Sequence, residues 1–195
     1  ILHSHSFRPN LYARLAGQLG GHGGLRMVAH YHNQHDDKWV EGSYALGLER
    51  HLAHATKAMV AVSGAVRDHV SARIGVDPAR VDVVLNGIDP DKLRHCDRDA
   101  ARQALGVAPD DLAIGCIGRV CRQKGQDVFV QAALGLLGRM PQARFLIIGS
   151  AEDAAMTAAL QDQIAAAGAT DRIQFLGHQQ DIAPIYRALD ILAAP

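Results

Sequence analysis

An apolar run, Leu112-Ala113-Ile114-Gly115-Cys116-Ile117, leads without interruption into Gly118-Arg119-Val120-Cys121-Arg122-Gln123-Lys124-Gly125, and an amphipathic segment over 127–137 leads out. A buried strand, a tight basic loop and a helix start, in that order, constrain the fold more than any other stretch. Strands joined in this way lie parallel, because a parallel pair needs a long and usually helical crossover. The alternation runs the length of the chain. Strands are expected over 1–5, 25–31, 58–62, 80–85, 112–117, 144–148, 172–176 and 191–194. Between them a helix opens at Pro9 with Leu11, Leu15 and Leu19 on one stripe, and others cover 41–55, 64–74, 98–105, 127–137, 152–167 and 181–188. Such a pattern predicts an α/β protein whose parallel sheets have covered faces. Ser63 suits the N-cap of the 64–74 helix.

Two interruptions define the organisation. Gly20-Gly21-His22-Gly23-Gly24 follows a helix and precedes a strand. That is the wrong order for a dinucleotide-binding fingerprint, so the run is expected to be a flexible connector. The turn signals Asn86-Gly87 and Asp89-Pro90, followed by a charged, alanine-rich stretch over 91–111, predict two sheets rather than one. The expected layout is a domain over 1–90, a connector over 91–111 and a second domain over 112–195.

Charge then limits the partners. Lys+Arg and Asp+Glu both number 20 among 195 residues, so no overall field draws the chain to nucleic acid or to an anionic surface. Any anion site must be local. In an open α/β sheet, ligands collect outside the carboxyl ends of the strands, and a helix N-terminus offers unpaired N–H groups to an anion. Arg119, Arg122 and Lys124 add three cations at such a point, and the flanking glycines permit close backbone approach. The three cysteines form no CxxC pair, which suggests a reducing compartment. No apolar run approaches the ~20 residues of a membrane span.

Six ordered motifs carry a resemblance. Gly118-Arg119 followed by Lys124-Gly125 resembles the G-R-x4-K-G loop of glycosyltransferase family 4. Val60-Ala61-Val62-Ser63 and Asn86-Gly87-Ile88-Asp89 resemble its vVS strand end and N-G-[IV]-D turn. Phe145-Leu146-Ile147-Ile148-Gly149, Ile173-Gln174-Phe175-Leu176-Gly177 and Asp190-Ile191-Leu192-Ala193-Ala194-Pro195 resemble its later strands. The resemblance implies the GT-B architecture, two Rossmann-like domains facing a cleft, both incomplete in this chain. It implies a retaining transferase that moves a sugar from a nucleotide diphosphate sugar to a hydroxyl acceptor, without a metal or other cofactor.

By this resemblance Arg119 and Lys124 would bind the diphosphate and stabilise it as it leaves, beside Gly118. Leu176, Gly177 and His178 would lie near the nucleobase, and Arg122, off the motif, would be solvated. His32 would act beside the donor sugar, with His5 and His32 on the acceptor side. The acceptor would be a sugar, a lipid-linked glycan or a small molecule in envelope polysaccharide or glycolipid synthesis. No nucleic acid partner is expected. The location would be cytoplasmic, with peripheral contact at the inner face of the membrane. The resemblance also implies that the family's first strand and glycine-bearing loop precede Ile1. Its E-G-F-G segment and E-x7-E carboxylates would follow Pro195, so residues 1–195 alone would not turn over substrate.

Histidines supply the competing reading. Ten of eleven precede residue 96. His3/His5 and His30/His32 are i, i+2 pairs, which on a strand face the same way. Imidazole clusters bind zinc or iron, so one alternative is a metal-dependent hydrolase built on His3, His5, His30, His32 and His35, with Asp36 and Asp37 nearby. That reading leaves the basic loop unexplained. A second alternative is a sugar-nucleotide-binding domain without catalysis. His51 and His54 are expected to be surface or packing residues.

Overall fold

Each of two parallel sheets takes four strands in the computed structural model, which describes residues 1–20, 26–34 and 43–195. The chain divides into the units Ile1–Ile88 and Asp89–Pro195. In the first, β1 (Leu2–His5), β2 (Met27–Tyr31), β3 (Ala58–Ala61) and β4 (Val81–Val83) lie in sequence order, with α1 (Phe7–Leu19), α2 (Ser43–Ala55) and α3 (Gly64–Ile74) as the crossovers. Every step moves to the next strand in the same direction. Right-handed crossovers therefore stack all three helices on one face. One core cluster accordingly joins Ala29, Tyr31, Met59, Ala61 and Val81 to Ala53, Val66, Val70 and Ile74.

The other face carries His3, His5, His30 and Val60, each only partly buried or exposed. The expectation of covered faces thus fails for this sheet among the described residues, because its strand order never reverses. The 20–24 glycine run and the 32–39 loop fall mostly outside the described residues, as does the start of the 41–55 helix.

The helix stripe in α1 also differs from expectation. Leu11 is buried, but so are Asn10, Arg14 and Gly17, while Leu19 stands 79% exposed. Arg14 pairs with Glu49 of α2, and the Tyr31 hydroxyl donates to the same carboxylate oxygen at 2.8 Å. Burial, with the Glu49 charge beside it, holds the Tyr31 phenol well above its ordinary pKa. Arg14 Nε also donates to the Asn10 carbonyl at 2.9 Å, and Asn10 Nδ2 to the His30 carbonyl at 3.0 Å. Partnered polar groups have displaced leucines from the buried side. Ser63 caps α3, accepting from the Val66 N–H at 3.2 Å.

The second unit contains α4 (Asp91–Arg94), α5 (Arg98–Ala104), β5 (Leu112–Ile117), α6 (Gln126–Leu136), β6 (Ala143–Ile148), α7 (Ala154–Ala166), β7 (Ile173–Gly177), α8 (Ala183–Ala188) and β8 (Ile191–Leu192). Its strand order is β7-β6-β5-β8. The order reverses beside β5, so crossovers lie on both faces. Ile114, Cys116, Phe145 and Ile147 pack with α6 and α7, while Ala113, Leu146 and Ile148 pack with Val107, Ile185 and Leu189. Phe129 meets Phe145 edge to face at 6.0 Å, an arrangement worth about 0.5–1.5 kcal/mol beyond burial.

Residues 91–111, expected to connect two domains, instead fold onto this unit. Arg102, 4% exposed, donates from Nη1 to the Ala188 carbonyl and to Asp190 Oδ2, both at 3.1 Å. Its Nη2 reaches the carbonyls of Ala108 at 2.7 Å and Asp111 at 2.6 Å. Arg98, one turn earlier, pairs with the other oxygen of Asp190. No helix among the described residues is long and apolar enough to cross a membrane.

Burial alone would raise the Asp190 pKa. The Ala113 N–H at 2.8 Å and the Arg102 and Arg98 guanidiniums outweigh it and hold the carboxyl below its ordinary value. A depressed folded pKa contributes stability above the unfolded value, about 3.9, and loses it as pH falls through the folded one. Asp190→Ala should therefore destabilise the chain by about 3 kcal/mol at neutral pH. Urea unfolding at pH 7 and pH 3 should show that the penalty shrinks at the lower pH.

Candidate functional site

The reversal of strand order beside β5 marks the edge where an open α/β sheet accepts ligands. The basic loop stands there. Its backbone is tied down on every side: the Gly118 N–H donates to the Ile148 carbonyl at 2.8 Å, the Val120 N–H to Ser150 at 2.8 Å, and the Asp153 N–H back to Val120 at 3.0 Å. Val120, 1% exposed, plugs the loop into the core. Beneath it, Gln126 is fully buried. Its Nε2 donates to the Gly118 and Arg119 carbonyls at 3.3 and 3.0 Å, and its Oε1 accepts from the Cys121 N–H at 3.4 Å. Gln126 was not singled out in the sequence. The signal was a polar residue on the stripe that α6 buries, with Phe129, Val130 and Ala133.

Two glycines set how closely the strand ends meet. A Cβ on Gly149, whose φ is +149°, would fall 2.0 Å from the Gly118 carbonyl oxygen. The aliphatic stem of Lys124 runs 3.5 Å from where a Gly118 side chain would begin. Gly125, at φ +67°, turns the chain into α6, whose first turn follows at once. A cavity of about 220 Å³ opens beside the loop, lined by Gly118, Arg119, Gly149, Ser150, His178 and Gln179 among others.

Of the residues expected at a donor site, Gly118, Arg119 and His178 meet at this cavity. Lys124 stands beside Gly118 on the loop, exposed. Leu176 does not line the cavity but packs against the core on the α5–α8 face. Gly177 accepts the Gly149 N–H at 2.9 Å through its carbonyl, which links β7 to the same corner. Arg119 Nη1 is engaged by Glu152 at the start of the α7 segment, both side chains about half exposed. Arg122 is exposed. Arg119 at the cavity, with Lys124 beside Gly118 on the same hydrogen-bonded loop, can offer charge-assisted contacts to an anion.

In the first unit, four imidazoles gather at the carboxyl ends of β1 and β2. His5 lies opposite His30 in the strand register. Ring centroids are 4.4 Å apart for His3–His5 and for His30–His32. His5 Nδ1 and His32 Nε2 share a hydrogen bond of 2.8 Å. Neither ring nitrogen of His30 has a partner, and both are shielded from solvent. Burial first, then the neighbouring His32, His5 and His3 rings, hold the His30 pKa below the ordinary histidine value. His35, Asp36 and Asp37 lie outside the described residues. His51 and His54 are exposed on α2.

Residues 1–92 match the family model described as Glycosyltransferase Family 4, and residues 111–195 match Glycosyl transferases group 1. The chain is 35% identical over 152 residues to the lipopolysaccharide core biosynthesis mannosyltransferase LpsB of Rhizobium meliloti, covering 76% of this chain and 41% of that protein. It is 34% identical over 153 residues to the D-inositol 3-phosphate glycosyltransferase of Rhodococcus opacus, covering 75% and 34% respectively. Among solved structures, Anabaena Alr3699/HepE in complex with UDP superposes with a TM-score of 0.78 at 22% identity, over 99% of this chain and 52% of that one. WaaG, a glycosyltransferase involved in lipopolysaccharide biosynthesis, superposes with a TM-score of 0.69 at 18% identity, over 94% and 56%. The chain thus spans less than half the length of these two curated relatives.

Gly149→Ala should loosen the corner where β5 and β6 end. Its methyl would collide with the Gly118 carbonyl oxygen, which accepts from Gln126 Nε2 at 3.3 Å, and the backbone conformation disfavours any side chain. Together these should cost about 2–4 kcal/mol. Amide hydrogen exchange at Val120 and Gly118 should accelerate more than exchange at Val70 in the other unit. Unchanged exchange at both would mean that the loop does not depend on the contact.

Proposed function

The chain belongs to the group 1 glycosyltransferases of family 4, with the two-unit Rossmann-like fold of GT-B enzymes, and from that premise we propose that the cavity beside Gly118 receives a nucleotide diphosphate sugar. The observation that carries this reading is the convergence of Arg119, Gly118 and Gly149 at a loop that is rigid before any ligand arrives. Preorganised cations aimed at growing charge are a large catalytic contribution. In the transfer, the bond from the anomeric carbon to the diphosphate oxygen breaks and its electron pair leaves with the diphosphate. Arg119 and Lys124 stabilise that charge. The acceptor hydroxyl oxygen forms the new bond on the same face of the sugar, which gives retention, and its proton passes to the departing diphosphate.

Support for the donor class comes from HepE, which has been seen with UDP and with UDP-glucose. The acceptor is a hydroxyl of a sugar, a lipid-linked glycan or a small molecule, in line with the names of LpsB and the inositol-phosphate enzymes. His32 serves the sugar: with Nε2 turned to His5, its Nδ1 is left to face a hydroxyl. His178 and Gln179 also line the cavity, and in this reading they contact the nucleobase. The reaction draws its charge stabilisation from side chains and needs no metal. The work takes place in the cytoplasm, where acceptors are presented at the membrane surface.

Arg119→Ala and Lys124→Ala should each weaken UDP binding roughly tenfold to a hundredfold, the loss of a charge-assisted contact, with Arg122→Ala doing much less. Glu152→Gln should tighten binding severalfold, since the carboxylate competes with the diphosphate for Arg119. Isothermal calorimetry decides, and wild-type affinity in both cation variants would overturn the assignment. Second, His32→Ala should lower sugar transfer while leaving UDP affinity near wild type. A His51→Ala control, exposed on α2, should leave both unchanged. An equal loss of transfer in that control would assign the effect to stability instead.

A further inference from the structure

We propose that His3, His5 and His30 form a binding site for a late first-row divalent metal ion, and that His32 orients the His5 ligand. This goes beyond the donor site, which lies in the other unit and takes its charge from arginine and lysine.

The strand register creates the cluster. His5 and His30 are cross-strand partners in the β1–β2 ladder, and His3 precedes His5 by two residues on the same face. One ring nitrogen from each of the three lies within 4.8 Å of the other two. A tetrahedral zinc with bonds near 2.0–2.1 Å places its ligand nitrogens about 3.4 Å apart, so small ring rotations close the remaining distance. His3 and His5 are exposed, which leaves an entry path and an open coordination position for water.

His30 gives the second, independent observation. Its two ring nitrogens are shielded from solvent and have no hydrogen-bond partner, whereas buried polar atoms in folded proteins almost always have one. A metal bond would satisfy one of them. The His5–His32 contact gives the third. With its Nδ1 committed to His32 Nε2 at 2.8 Å, His5 has only Nε2 left to offer. A metal-bound histidine usually donates its other ring N–H to an acceptor that fixes tautomer and orientation. With a metal on His5 Nε2, His5 Nδ1 would carry the proton and His32 Nε2 would be that acceptor, with the His32 proton on Nδ1. Occupation of the site would thereby fix the tautomer of the histidine assigned to the donor sugar.

The ligand set selects the ion. Among the described residues the set is three imidazoles with no carboxylate, which suits zinc, copper, nickel or cobalt, and not magnesium or calcium.

The test uses the whole chain, prepared without a polyhistidine tag, stripped with chelator and titrated with zinc(II) against a chromophoric competitor. One saturable site per chain is expected, and cobalt(II) in its place should give the intense visible absorption of a tetrahedral centre. His3→Ala and His30→Asn should each weaken zinc binding by at least about tenfold, and His32→Asn by about tenfold through the orientation of His5. The double variant His51→Ala/His54→Ala should bind as the wild type does. If His30→Asn fails to fold, His3→Ala, at an exposed position, decides alone. No saturable zinc site in the stripped wild type, or unchanged affinity in His3→Ala, would overturn the proposal and leave the four rings as ordinary stacked side chains.

Discussion

The corner of the second unit depends on one steric fact: β5 and β6 end in glycines whose backbones meet where no side chain fits. The Gly118 carbonyl oxygen occupies the space that a Gly149 methyl would need. Because the backbones meet, the Gly118 N–H reaches Ile148 and the Val120 N–H reaches Ser150. Gln126 can then satisfy the two carbonyls that face inward. These bonds hold the backbone at Gly118, Val120 and Cys121, and Arg119 and Lys124 project from that base. A site that must stabilise transient charge gains from this, since dipoles and cations already in place cost no reorganisation.

The first unit is organised by a different kind of constraint. Arg14 and Glu49 are both essentially excluded from water, and Tyr31 donates its hydroxyl to the same carboxylate. Burying two charges costs several kcal/mol each, and their attraction repays it only with good geometry and further hydrogen bonds. Those extra bonds exist here through Asn10 and Thr56. Such a network contributes little net stability compared with a hydrophobic replacement. It does tie α1, α2 and β2 to one register, since a shift of any of the three would strand a charge.

Much of this was legible in the sequence, for reasons that differ by element. Strands with six consecutive apolar or small residues, such as 112–117, declare themselves because both faces are buried. Ser63 declares the start of α3 because caps obey local chemistry. The glycine-bounded basic loop was legible as a tight link between strand and helix, because its residue types and its place between β5 and α6 agree. What stayed hidden depends on pairing between distant residues. Leu11, Leu15 and Leu19 suggested an apolar stripe, but the partner of Arg14 is 35 positions away. Arg102 looked like part of a charged connector, because the Ala188 carbonyl and the Asp190 carboxylate that help to bury it lie 86 and 88 positions away. Leu176 was placed at the ligand by motif alone, whereas the pleat turns it toward the core.

Strand order accounts for the contrast between the two sheets. In the second, the reversal beside β5 puts crossovers on both faces, so both are filled with Ile, Leu, Phe and Ala. In the first, β1 to β4 step one way, and a single face is packed by the described helices. Alternation along β1 and β2 then has a side that none of the described helices packs, where a residue need not be apolar to fill this unit's core. Imidazoles occupy it: His3, His5, His30 and His32 in one contiguous group. Burial and the neighbouring rings hold the His30 pKa below its ordinary value, at the carboxyl edge of the sheet. Topology set aside that surface, and the choice of histidine gave it chemistry that a packed face cannot carry.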